Sequence, residues 1–129
     1  MSKPVIFGCE GPTLSASERQ FFRDADPLGF ILFARNCETP AQITRLVAEL
    51  RESIGRANAP VLIDQEGGRV ARLKPPHFAA IPAAAEIAAL GGVRARAGAW
   101  LAARLIADDL SQLGITVDCA PVLDLPVAG

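Results

Sequence analysis

Asp64 and Glu66 stand two residues apart with the amide of Gln65 between them, and Arg69 and Arg72 follow beyond the pair Gly67-Gly68. Two carboxylates, an amide and two guanidinium groups this close together suit a ligand with many hydroxyls. A carboxylate accepts from two adjacent hydroxyls, and a guanidinium donates to others in a fork. The glycines allow a sharp turn and a close approach of ligand to backbone. Two other readings fit the same residues. One is a polar turn in which Arg69 is a surface partner of Glu66. The other is a phosphate cradle built on backbone N–H groups, which the two preceding carboxylates oppose. Neither Gly-x-x-x-x-Gly-Lys-Ser/Thr nor Gly-x-Gly-x-x-Gly occurs in the chain. Asp64 and Glu66 make a poor catalytic pair. Side chains two apart on a strand lie on the same side of a ligand, whereas glycoside hydrolysis needs groups on both sides of the bond it breaks.

The elements that must position these residues are strands and helices in alternation. Val61, Leu62 and Ile63, set off by Pro60, predict a buried strand that ends at Asp64. Strands are predicted near residues 4–8, 29–33, 60–64 and 115–120. The second is apolar throughout, as in a parallel sheet covered on both faces. Between them, Ser15 to Glu18 has the form of a capping box, and Asp26-Pro27 ends the helix that follows. Thr39-Pro40-Ala41-Gln42 opens the clearest helix: Thr39 caps, Pro40 takes the first position and Gln42 completes a second box. Ile43, Leu46, Val47, Leu50 and Ile54 form its apolar face, and Gly55 closes it. A further helical stretch begins at Pro82. A longer helix runs from about Val93 to Leu113, with Ala102, Ile106, Leu110 and Leu113 on one face, Trp100 packed near its start and its charges solvated. Arg35 and Asn36, after the second strand, and Asp124, after the fourth, are placed on the same rim as Asp64. His77, in the loop Lys74-Pro75-Pro76-His77-Phe78, reads as a solvated surface group.

Composition excludes several classes. The chain has 129 residues, 50% hydrophobic and 21% charged, with 13 basic against 14 acidic groups and a net charge of -1. That is a globular domain with no basic patch for nucleic acid. Tyrosine is absent and phenylalanine scattered, so no base-stacking platform is visible. No apolar run is long enough for a bilayer span or a signal-peptide core. Cys9, Cys37 and Cys119 have no metal-ligand spacing and read as reduced, mostly buried thiols of a cytoplasmic protein, with no metal and no cofactor.

The stretch Asp64-Gln65-Glu66-Gly67-Gly68-Arg69-Val70 resembles the substrate-binding motif of glycoside hydrolase family 3. Gly29-Phe30-Ile31-Leu32-Phe33-Ala34-Arg35-Asn36 upstream and Ala120-Pro121-Val122-Leu123-Asp124 downstream extend the resemblance, in the family's order and at about its spacing. The nearest group is the bacterial cytoplasmic β-N-acetylhexosaminidases of peptidoglycan recycling. The resemblance covers essentially all of residues 1–129 but only the first part of the family's catalytic barrel. It implies an α/β fold, the first half of a TIM-type (β/α)8 barrel, since a whole one needs roughly 250 residues. A doubly wound open sheet is the alternative. It also implies a retaining glycosidase that removes terminal N-acetylglucosamine from muropeptides. By resemblance Asp64 and Arg72 hold the sugar, with Glu66, Arg69 and Arg35 supporting. The nucleophile and the acid/base are expected beyond Gly129, so that the chain alone is inactive. A non-catalytic sugar-binding or structural half barrel is the other functional reading. Open barrel edges lead to an expectation of poor solubility or self-association.

Overall fold

The apolar runs pair in the order in which they occur along the chain. The computed structural model describes residues 2–123. In it β1 (Lys3–Phe7), β2 (Pro27–Leu32), β3 (Val61–Ile63) and β4 (Val117–Asp118) form one sheet in the order β1-β2-β3-β4, each neighbouring pair parallel. An in-order parallel sheet is how a (β/α)8 wall begins. A doubly wound sheet would reverse its order at a switch point, and this one does not. Helices α1 (Ala16–Ala25), α2 (Pro40–Ser53), α3 (Ala84–Ala89) and α4 (Gly92–Leu113) fill the crossovers. None is long and apolar enough to cross a membrane.

Strand limits differ from those predicted by one or two residues. β2 starts at Pro27, and β4 is short because a side chain takes over part of its pairing. The Thr116 hydroxyl accepts from Val61 N–H at 3.1 Å, while Thr116 N–H and Cys119 N–H donate to Val61 and Ile63 carbonyls.

At α1 the Ser15 hydroxyl accepts from Glu18 N–H, and the Glu18 carboxylate accepts from Ser15 N–H. Asp26 ends the helix in the left-handed region, φ 46°. In α2, Thr39 caps as expected, but Gln42 does not complete the second box. Its oxygen accepts from Glu38 N–H at 2.9 Å, and its amide nitrogen donates to the carbonyls of Pro12 and Asn36. Gln42 is buried beneath loops whose carbonyls need donors, and that need outweighs the local cap.

The core lies between the sheet and these helices. Ile43, Leu46, Val47 and Leu50 of α2 pack with Phe30, Leu32, Val61 and Ile63 of the sheet, all fully buried. Each such side chain contributes about 1.5–3 kcal/mol by leaving water. Phe22 of α1 meets Phe30 edge-on at 5.1 Å. α4 buries Ile106, Leu110 and Leu113. Trp100, expected to pack, is 70% exposed, because no element among the described residues covers the face that carries it. Two arginines tie the end of the sheet where the strands begin. Arg51 donates to the carbonyls of Ala59 and Gly114, and Arg56 pairs with Asp26 and donates to Pro27 O.

Gly29 in β2 faces Pro60, whose ring Cγ would lie 2.7 Å from any added Cβ, with the Pro60 carbonyl closer still. Gly29→Ala should therefore destabilise the chain by about 1–3 kcal/mol through overpacking. Gly11→Ala, where nothing lies within 4 Å, should stay within about 0.5 kcal/mol. Urea denaturation of both variants checks this, and equal midpoints would contradict the packing assignment.

Candidate functional site

Parallel pairing brings the carboxyl ends of all four strands to one rim, where the chain turns polar. Asp64 is the first residue after β3. Its Oδ2 accepts from Arg72 Nη2 at 2.8 Å, and the two side chains keep 24% and 26% of their surface exposed. The pair is thus open to a ligand yet sheltered enough to be more than a surface ion pair. Arg72 Nε is buried and has no hydrogen-bond partner, so only the terminal nitrogens of its guanidinium can reach a ligand.

Gln65 explains why residues eight apart meet. Its side chain is 3% exposed. Its oxygen accepts from Arg72 N–H at 2.8 Å and Leu73 N–H at 3.0 Å, and its nitrogen donates to Leu73 O at 3.1 Å. A side-chain amide thereby bridges the excursion 66–71 as a neighbouring strand would. Gln65 N–H donates to Asp118 Oδ1 at 3.0 Å, which links the ends of β3 and β4. Burial pushes the Asp118 carboxyl up; the Gln65 N–H draws it down, and the neighbouring carboxylates of Asp64 and Glu66 add to the rise. Sequence reasoning counts Gln65 only among the polar groups for a ligand and gives Asp118 no role. The one available signal for Asp118 is a lone carboxylate in a strand with no other charged residue.

The excursion itself is a tight turn. Glu66 and Gly67 N–H both donate to Val70 O, and Gly67 and Gly68 have φ of 95° and 55°. A Cβ on Gly67 would lie 2.5 Å from Pro82 O, and one on Gly68 2.7 Å from Ala83 Cβ. The close approach that these glycines permit is therefore by residues 81–83 of the chain itself, not by a ligand. Gly68 N–H donates to Ile81 O. Glu66 is half-buried and Arg69 exposed, and no ion pair joins them among the described residues. Both line an open groove of about 980 Å³, walled largely by alanines of α3 and α4, that also reaches Gln65 and Asp118.

Arg35 follows β2 at the same rim but makes no bond to the Asp64–Arg72 pair. Its Nε donates to Cys9 O at 3.1 Å, and its guanidinium lies 4.7 Å over the Phe33 ring. Asn36 is fully buried. It donates to the carbonyls of Cys9 and Gly11 and accepts from Phe33 N–H, fastening the loop after β1 to the loop after β2. Burial pushes the Cys9 and Cys37 thiols up to about 11. Cys119 is exposed, contrary to expectation. His77 is exposed beside a recess of about 200 Å³ that Arg72 and Lys74 also line. Asp124 lies outside the described residues. Among the described residues, no group of three His, Cys, Asp or Glu side chains could hold a metal ion.

Such a rim can hold hydroxyls with a fixed acceptor, Asp64, and a fixed donor, Arg72. Asp64, Glu66 and Asp118 all come from the ends of two adjacent strands, so they approach a ligand from one side. The chain is 38% identical over 120 residues to the beta-hexosaminidase of Methylococcus capsulatus, covering 93% of this chain and 35% of that protein. It is 39% identical over 125 residues to the beta-hexosaminidase of Pseudomonas aeruginosa, covering 97% of this chain and 36% of that one. Among solved structures, NagZ from Neisseria gonorrhoeae in complex with N-trifluoroacetyl-D-glucosamine superposes with a TM-score of 0.88 at 32% identity, over 96% of this chain and 38% of that one. The chain thus spans little more than a third of the length of these relatives. Residues 12–128 match the model of the glycosyl hydrolase family 3 N-terminal domain, and the chain belongs to that family.

Proposed function

We propose that residues 1–129 form the first part of the catalytic barrel of a retaining β-N-acetylhexosaminidase. Its substrate is a terminal N-acetylglucosamine on peptidoglycan fragments, and its compartment the cytoplasm. The observation that carries this reading is the half-sheltered Asp64–Arg72 pair at the carboxyl end of β3, inside the motif shared with the family. The names of the relatives and the sugar analogue bound to the Neisseria protein support the substrate class.

In this reading Asp64 accepts from hydroxyls of the non-reducing sugar, and Arg72 donates beside it. Glu66 and Arg69 shape the turn between them, and Arg35 steadies the neighbouring loop. Hydrolysis with retention needs an acid that protonates the leaving oxygen and a carboxylate that attacks the opposite face. Carboxylates from one side of the rim cannot supply both, so the nucleophile and acid/base come from segments beyond Gly129. β1 and β4 each keep one unpaired edge among the described residues, and α4 exposes Val93, Trp100 and Leu101. The isolated chain should therefore self-associate.

Two measurements test the reading. The purified 129-residue chain should show no turnover of an aryl β-N-acetylglucosaminide above background. Appreciable turnover would mean that Asp64 and Glu66 do more than bind. In the full-length enzyme, Asp64→Ala should lower kcat/KM by about 10- to 150-fold, the equivalent of a charge-assisted hydrogen bond of about 1.5–3 kcal/mol. Unchanged kinetics would remove Asp64 from the sugar site.

A further inference from the structure

Among the described residues, only the bond to Asp64 holds the end of the Arg72 side chain, since Nε is without a partner. Where that side chain starts is consequently decisive, and its start is fixed by the Gln65 amide on Arg72 N–H and on both polar groups of Leu73. The excursion 66–71 offers no substitute. Its internal bonds end on Val70 O, and its other tie runs to Ile81. We propose that Gln65 is a positioning residue for sugar binding, which sets Arg72 against Asp64 and needs both the oxygen and the N–H of its amide to do so. The kinetic part of this inference rests on the function proposed above; the geometric part does not.

The two halves of the amide can be separated chemically. In Gln65→Glu the protonated side chain still accepts through one oxygen and donates O–H to Leu73 O. Once ionised, it sets a lone pair against that carbonyl and the bond is lost. The new carboxyl would be buried, which raises its pKa, while the Arg72 and Leu73 N–H groups that its oxygen accepts lower it. Function should therefore be retained at low pH and lost as pH rises through that pKa. Gln65→Leu removes both halves at every pH.

The test uses the full-length enzyme and these two variants, each assayed well below its melting temperature with an aryl β-N-acetylglucosaminide. Gln65→Leu should raise KM by about 10-fold or more with kcat changed much less, as loss of a binding contact requires. The ratio of Gln65→Glu to wild-type kcat/KM should fall steadily as pH rises. A loss of folded molecules would instead lower kcat at unchanged KM, and that result, or a flat ratio, overturns the proposal. If Gln65→Leu does not fold, the pH series alone decides. If the wild type turns over no such substrate, the functional reading fails. The 15N-detected side-chain Nε–H resonance of Arg72 then decides the geometry. It should shift with pH in Gln65→Glu relative to wild type, and matching titrations in the two proteins would overturn the inference.

Discussion

A polar backbone group buried at the end of a strand must find a partner, and at this rim three of the side chains that supply partners are neutral amides. Asn36, Gln42 and Gln65 are all buried, and each both donates and accepts. An amide can satisfy a carbonyl and an N–H together, and it costs far less to bury than a charge. Asn36 joins the loops after β1 and β2, Gln42 props both from α2, and Gln65 holds the return of the chain after β3. The charged groups of the rim stand on this neutral frame.

That arrangement also orders the electrostatics. Asp64, Glu66 and Asp118 lie near one another at the rim, and of the three Asp64 is the one bonded to Arg72. Asp118 takes the Gln65 N–H instead, and burial together with its acidic neighbours favours its protonated form.

Much of this was legible in the sequence where the physics is local. Ser15 and Glu18 are three apart and cap each other; the apolar spacing of Ile43, Leu46, Val47 and Leu50 fixes which face of α2 is buried. The apolar runs announced the strands, and the change of character at Asp64 marked the rim. What the sequence hid depends on distant partners. Gln42 reads as a local cap until Pro12 O is known to lie above it. Gln65 reads as one more polar group for a ligand until the chain is seen to return at Leu73. Gly67-Gly68 has the composition of a ligand-binding turn, yet its open side is filled by residues 81–83. Trp100 has the residue type of a core position, but α4 turns it away from the sheet's core.

The two ends of the sheet are held by different chemistry, and this separates what can change from what cannot. At the end away from the rim, Arg51 and Arg56 clamp the carbonyls of the segments that lead into β2, β3 and β4. Those clamps secure the crossovers without using any residue of the rim. Divergence at the rim can then alter what is recognised while the chain keeps its path, and divergence at the arginines changes the path while leaving recognition chemistry intact. Selection for a new ligand and selection for a sturdier domain would fall on separate sets of positions, which makes the rim a natural place for sequence drift to become new specificity.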